Sequence, residues 1–329
     1  MVLDWLLHSK TQTGGVPGID QLPDAEITRY LKHYLLSCRV DTKSPKTVLH
    51  YGRFIGYFVR FLAGTGDIPP LKQILPDHIR AFILTLQERQ VTPETVSAYY
   101  RALHTFFNWL KEQEYIERNP FDKLKSPRIP RKLVRSLPVD SVEKLLRLSL
   151  ADVSFAGVRN YALLLLFLDT GLRQAEMAGI MLGDISLERG LIRVMGKGAK
   201  ERIVRMGESA QKALLRYLLL RKDHHDCLWV TEEGRPMGQY GVEIATRRLI
   251  LRAGISRDLK HGTHTLRHTA ATNYLRNGGN VRLLQEMLGH THITTTMKYV
   301  DALGPEAMIA DHKLASPVDN LMKGKSPQR

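Results

Sequence analysis

Apolar side chains change their spacing along this chain, and the change predicts two kinds of architecture. From Asp24 to about residue 115 they recur every three or four positions, as in helices with one buried face. Start signals divide this stretch into four helices: one near Asp24, one at Ser44 with Pro45 in the first helical position, one near Pro76, and one capped by Thr92 before Pro93. In the fourth, Val96, Tyr99, Tyr100, Leu103, Phe106, Phe107 and Leu110 form a stripe that reads as core. Beyond Leu137 helices are expected at Asp140–Leu150, Val158–Asp169 and Arg173–Gly179. The period then falls to two: Leu191–Met195 and Ile203–Met206 read as short strands joined by the turn GKGAKE. Ser209–Arg221 returns to helix, Cys227–Thr231 reads as another strand, and helices dominate from Val242 onward. The expected fold class is mainly α: a four-helix domain, then a mostly helical α/β domain with a small antiparallel sheet.

The segments between these patterns set the expected boundaries. Residues 1–23, which contain GGVPG, read as a flexible leader; 24–115 as the first domain; 116–136 as a linker; 137–302 as the second domain; and 303–329 as a tail. In the linker, KLKSPRIPRKLVR holds six basic residues, two prolines and no acid, so an extended basic path is expected. In the tail, Pro305–Leu314 reads as a short helix with Met308, Ile309 and Leu314 on its apolar side, a candidate for docking on a neighbouring subunit or on its own.

Composition narrows the partners. The 329 residues carry 48 Lys and Arg against 33 Asp and Glu, a net charge of +15, which favours a polyanion such as nucleic acid through counterion release. A membrane partner is not expected, because the longest apolar run, Tyr161–Leu168, is too short to span a bilayer. Cys38 and Cys227 are the only cysteines, which excludes a disulfide framework and suits a cytoplasmic protein. Lys43, Lys46, Arg53, Arg89 and Arg101 on the first domain, and Lys123, Lys125, Arg128, Arg131 and Lys132 in the linker, are the candidate DNA contacts.

Candidate chemistry sits in four short motifs. In TGLRQAE, Arg173 can aim a planar fork at a phosphate while Glu176, three residues on, holds that fork; taken alone, the two read first as an exposed helical ion pair. In GKGAKER, Lys197 at a turn tip can neutralise or protonate an oxygen, with Lys200 as competitor and Lys200 and Arg202 as further DNA contacts. In HTLRH, His264, Arg267 and His268 share a helix face: His264 can exchange protons near neutral pH, Arg267 adds a second fork, and His268 reads as a buried, hydrogen-bonded histidine. His290 follows Gly289, a helix stop, and its imidazole can hydrogen-bond a phosphate oxygen; Tyr299 lies nine residues on, in the next helix. A phenol, two guanidiniums, a lysine and histidines are what metal-free attack on a phosphodiester requires. Metal hydrolysis on His261, His264 and His268, on His290 and His292, or on the HHD at 224–226 is the competing chemistry, and the neighbouring arginines oppose a cation there.

In this order and spacing, with 24 residues from Arg173 to Lys197, the motifs resemble those of the tyrosine recombinases, the phage-integrase class that includes the Xer and Cre-type enzymes. The resemblance runs from about Asp24 to Asp301 and takes in RNPF at Arg118–Phe121; Ala199 and Arg205 depart from the family's usual residues. It implies a SAM-like core-binding domain followed by a catalytic domain. It also implies site-specific strand exchange through a 3′-phosphotyrosyl ester on Tyr299, with Arg173, Arg267 and His290 on the non-bridging oxygens. Lys197 would protonate the leaving 5′ oxygen, His264 would assist at the tyrosine, and Glu176 would orient the site. No cofactor and no metal are implied. The implied partners are double-stranded DNA with an inverted-repeat core site and three further subunits, in a homotetramer or a heterotetramer with a related recombinase, acting at the nucleoid. A topoisomerase of type IB and a DNA-binding protein that does not cut are the alternatives.

Overall fold

A computed structural model describes residues 16–129, 136–196, 201–255 and 262–304. The chain divides into two compact units, Met1–Arg131 and Lys132–Arg329. Lys197, Lys200, Arg131, Lys132, His261 and the Pro305–Leu314 segment lie outside the described residues.

The first unit is built on α1 (Glu26–Val40), α2 (Pro45–Gly64), α3 (Pro76–Glu88) and α4 (Pro93–Glu112). At the start of α2, Ser44 Oγ accepts from the Thr47 amide (3.2 Å) and Pro45 occupies the first turn. Thr92 precedes α4 as expected, but its hydroxyl bonds the Thr95 hydroxyl (3.0 Å) instead of a backbone amide. Ile27, Leu31, Ile55, Phe58, Val59, Leu62, Phe106, Phe107 and Leu110 close the core from three of the helices, and Phe82 adds the fourth.

Two expected boundaries move because apolar side chains near them are buried. The leader was read as loose, yet Val16, Ile19 and Leu22 are core residues of this unit. They lie on α2 where it presents Gly52 and Gly56: a Cβ on Gly52 would stand 2.5 Å from Val16 Cγ1, and one on Gly56 3.5 Å from Leu22 Cδ1. The linker was drawn from residue 116, yet Ile116, Asn119 and Phe121 are buried, and the Asn119 side chain donates to Asn108 Oδ1 (2.6 Å) and accepts from the Phe121 amide (2.9 Å). Phe121 is the last buried residue of this stretch, and Asp122 and Lys123 are exposed.

The second unit contains α5 (Val139–Leu150), α6 (Phe155–Thr170), α7 (Gln174–Ala178), β1 (Ile185–Ser186), β2 (Leu191–Met195), β3 (Glu201–Arg205), α8 (Glu208–Leu220), α9 (Gln239–Arg252), α10 (Gly262–Arg276), α11 (Val281–Leu288) and α12 (Ile293–Asp301). Helix α6 is apolar nearly all round and forms the centre of the unit, packing against α5, α8, α9 and α10. The strands make an antiparallel sheet in the order β1-β2-β3, pairing Val194 with Arg202 and Ile192 with Val204. The expected strand at Cys227–Thr231 forms only isolated bridges, Met181 with Cys227 and Val230 with Pro236. The Leu228 amide closes the first bridge on the Ile180 carbonyl (2.9 Å), and the Val230 amide bonds the Tyr217 hydroxyl (3.1 Å), so neither bridge extends into a ladder. Among the described residues no helix is long and apolar enough to cross a membrane.

The seat of the leader on α2 yields a stability prediction. Gly52→Val forces its side chain into the space held by Val16 and Ile19 and should destabilise the protein by about 1–3 kcal/mol. Gly64→Ala, at the end of the same helix with nothing within 4 Å, should stabilise by up to about 1 kcal/mol. Urea denaturation of the two variants measures both; equal effects would mean that the leader does not occupy this seat.

Candidate active site

Helix α11 ends at Gly289, which adopts the left-handed conformation (φ 63°) and stops the helix. Stopping it leaves the last carbonyls without intrahelical partners. Three successive carbonyls are each taken by a different arginine. Arg202 Nε donates to the Met287 oxygen (2.9 Å), Arg267 Nη2 to the Leu288 oxygen (2.7 Å), and Arg173 Nη2 to the Gly289 oxygen (3.0 Å). A helix C-terminus carries partial negative charge, so it suits guanidinium groups.

Each arginine reaches this point from a different element. Arg173 caps α7 at the start of its first turn, and its side chain is 35% exposed. Arg267 is buried on α10, where Nη1 also donates to the Gly171 carbonyl (2.6 Å) just past the end of α6. Burial lowers its pKa to about 10, helped by the neighbouring Arg173 and opposed by Tyr299, so it stays charged at neutral pH. Arg202 comes from β3, where Val204 faces the core and alternation carries Arg202 to the same side. Arg202, expected as a DNA contact, is turned into the protein here. Its side chain is only 14% exposed, and its fork is closed on Glu176, with Nη1 donating to Oε1 (2.9 Å) and Nη2 to Oε2 (2.8 Å).

Glu176 is the acid that gathers two of these cations. It also accepts from the Arg173 amide (2.8 Å) and Arg173 Nη1 (2.7 Å). Burial alone would raise its pKa, but the bonds from Arg202 and Arg173 prevail and hold it at about 2. The pairing of Arg173 with Glu176 is therefore internal to the site, and not the exposed ion pair that the motif taken alone suggests.

His290 hangs from the same turn. Arg267 Nη2 donates to its Nε2 (2.9 Å), which places the ring proton on Nδ1, beside the buried Thr296 hydroxyl (2.9 Å). Both ring nitrogens are thus engaged, so the imidazole as placed does not offer the free donor expected for a phosphate oxygen. Burial and the surrounding arginines lower its pKa to about 4. Gln285 fixes the His290 carbonyl with a bond from Nε2 (2.9 Å).

Tyr299 lies on α12 and is 3% exposed, packed with Ala271, Leu284 and Leu288 in a small apolar cluster. Its ring is parallel to that of His290, 6.3 Å between centroids. Burial raises its pKa, while Arg267 and Arg173 pull it down. His268 Nδ1 bonds the phenol oxygen (3.0 Å), so the partner of this buried, hydrogen-bonded histidine is the candidate nucleophile itself. Burial and His264 keep His268 neutral, with a pKa of about 4. His264 is exposed one turn earlier, its ring 6.4 Å from that of His268.

Of the expected site, Arg173, Glu176, Arg267, His268, His290 and Tyr299 are joined by these bonds. Sequence reading missed Gln174, Gln285 and Thr296. Gln174 ties α7 to the start of α10, accepting from the Thr263 hydroxyl (3.2 Å) and donating to the Gln239 carbonyl (2.9 Å). The position of Thr296, one turn before Tyr299, was the available signal for it. Among the described residues, no three His, Cys, Asp or Glu side chains converge as a metal site requires.

The other DNA-contact candidates divide by location. Lys46 and Arg101 line one groove with Ser44, Thr47 and His50, and Arg101 and Arg53 both depress the His50 pKa, secondary to its burial. Lys43 pairs with Asp41 (3.5 Å), and Arg89 donates to the Tyr57 hydroxyl (2.6 Å). Lys123, Lys125 and Arg128 are exposed.

Comparison with known proteins places this site in a family. Residues 135–304 match the profile of the phage integrase family, and residues 30–117 that of the phage integrase N-terminal SAM-like domain. Tyrosine recombinase XerD of Halalkalibacterium halodurans is 32% identical over 262 residues, 78% of this chain and 87% of that protein. Tyrosine recombinase XerC of Thermodesulfovibrio yellowstonii is 33% identical over 282 residues, 83% of this chain and 90% of that protein. The fold is also that of the XerH recombinase bound to palindromic difH substrate (TM-score 0.68, 21% identity, 92% of this chain and 93% of that one). A lambda integrase dimer bound to a COC′ core site is similar (TM-score 0.69, 18% identity, 84% of this chain and 96% of that one). The four motifs, the helical first unit and the guanidinium cluster beside Tyr299 therefore have a common explanation: the chain belongs to the phage integrase family of tyrosine recombinases.

Proposed function

We propose that this protein is a site-specific DNA recombinase that cuts and rejoins strands without a metal, through a 3′-phosphotyrosyl ester on Tyr299. The observation that carries this reading is the gathering of three guanidiniums at the end of α11, next to a buried phenol. Three positive charges less the one negative charge of Glu176 leave two, with His290 neutral at pH 7. A phosphodiester carries one negative charge and its five-coordinate transition state two, so the site favours the transition state over the bound substrate.

In the proposed reaction the Tyr299 oxygen attacks phosphorus, loses its proton, and displaces the 5′ oxygen of the scissile bond. Arg173 and Arg267 face the non-bridging oxygens, and Lys197 protonates the leaving oxygen. His268 holds the phenol before attack, so α12 has to release that bond to present the nucleophile; His264, on the exposed rim, then takes part in proton transfer. His290 joins the phosphate once Arg267 turns its Nη2 from the imidazole to the ligand and a proton moves onto the freed Nε2, which then donates to a phosphate oxygen. A 5′-hydroxyl from a second duplex attacks the ester in reverse, so bond energy is conserved and no cofactor is needed. Lys46, Arg53 and Arg101, and the linker cations, bind phosphates along an inverted-repeat core site. Four subunits, identical or paired with a related recombinase, assemble on two duplexes at the nucleoid, with the tail beyond Gly304 docking between neighbours.

A pool of nicked duplexes carrying randomised inverted-repeat cores tests the chemistry. The native protein should form a covalent adduct in EDTA, and Tyr299→Phe should form none; an adduct that survives the substitution sinks the nucleophile assignment. Arg267→Ala should slow adduct formation by roughly 10²–10³-fold.

The shifted groups also set a pH dependence of stability. His268 and His290 have folded values near 4, below their ordinary 6.5, so their contribution is complete above about 6.5 and is lost as pH falls through 4. Glu176, near 2 against an ordinary 4.5, contributes fully above 4.5 and loses its contribution as pH falls through 2, on the order of 3 kcal/mol in all. Denaturant titrations across pH should therefore show stability falling first between about 6.5 and 4. The His268→Gln/His290→Gln double variant should flatten that upper window, and Glu176→Gln the lower one; unchanged slopes would refute the assignment.

A further inference from the structure

We propose that Arg202 is a positioning residue for strand cleavage and not a DNA contact, an inference that rests on the function proposed above. Its sequence setting, GKGAKER in a basic chain, suggests a cation facing a phosphate backbone. The structure turns it the other way. Every nitrogen of its guanidinium bonds protein: Nε the Met287 carbonyl, Nη1 and Nη2 the two oxygens of Glu176. It lies against Gly289, where a Cβ would stand 3.1 Å from Nη1, so a side chain at the helix stop would crowd the guanidinium.

This placement lets one side chain orient two others. Glu176 receives the Arg202 fork and holds Arg173 by the same two oxygens, so the direction of the Arg173 guanidinium depends on a carboxylate that Arg202 fixes. Bidentate contact matters here, because a single ammonium cannot fix both oxygens in one plane. The bond to Met287 pins the last turn of α11, three residues before His290. The same contacts fasten the start of β3 to the end of α11. Arg202 thus links the chain segments that supply Arg173 and His290. It can do so without touching DNA.

Two measurements on the full-length protein separate positioning from DNA contact. The first is the rate of Tyr299-dependent adduct formation on the nicked duplexes at saturating protein. The second is the salt dependence of binding to a random-sequence duplex. Arg202→Lys should slow the adduct about 10²-fold, the usual cost of a misplaced reacting group. Its affinity and salt slope should match the native protein, whereas loss of a phosphate contact lowers the slope by about one. Glu176→Gln should show the same pattern, and the double variant should be no slower than the slower single one. Native cleavage by Arg202→Lys together with a reduced salt slope would overturn the proposal, as would additive losses in the double variant. If Arg202→Lys does not fold, as judged by circular dichroism, Glu176→Gln decides, and native cleavage by it overturns the proposal. Absence of any adduct from the native protein would instead sink the recombinase reading, and the salt slopes would still decide whether Arg202 contacts DNA.

Discussion

The site depends on how one short helix ends. An α-helix stopped by a left-handed glycine leaves carbonyl oxygens pointing onward, and at the end of α11 three of them in succession attract three arginines. Like charges so close would repel one another in an apolar setting. Here the helix end and Glu176 offset that repulsion, and the arginines come from β3, α7 and α10, three elements far apart in sequence. The cluster therefore records the tertiary fold: if any of the three elements is misplaced, one carbonyl loses its donor and one cation its counter-charge.

Much of this was legible in the sequence. Gly289 as a stop, Arg173 at a helix start, the shared face of Arg267 and His268, and Tyr299 on the following helix all follow from local rules, and α7, α10, α11 and α12 show each in place. The four-helix unit was equally plain, because its aromatic stripe repeats at helical spacing. What failed were judgements of inside and outside made on charge alone. Arg202 reads as a surface cation beside Ile203, yet Ile203 is 68% exposed and Arg202 faces in. Alternation from Val204 decides the matter, and Glu176, 26 residues earlier, makes the burial tolerable; that second fact is tertiary and cannot be read from a five-residue strand. The leader failed for a related reason. Val16, Ile19 and Leu22 find their seat on glycines of α2, and a stretch rich in glycine and proline signals a turn without saying whether its few apolar side chains have a receptor.

Tyr299 shows how the same physics restrains a nucleophile. Its hydroxyl bonds a neutral histidine, its ring is buried, and burial raises its pKa against the pull of two arginines. A phenol held this way is protonated and poorly placed for attack. In the proposed reaction the electrostatic half of the chemistry is therefore assembled beforehand and the nucleophilic half is held in reserve.

The apolar packing beneath the site divides it in the same place. Gly171, which anchors Arg267, follows directly on α6, the helix enclosed on all sides by the main core. Tyr299 belongs instead to a small cluster whose buried apolar members, among the described residues, are Ala271, Leu284, Leu288 and itself, with Met287 packed against both clusters. Cooperative opening units follow such divisions in buried area. Amide exchange should accordingly be slowest along α6 and markedly faster in α11 and α12. The proposed catalytic centre thus joins a large core, which fixes where charge accumulates, to a small cluster that holds the tyrosine.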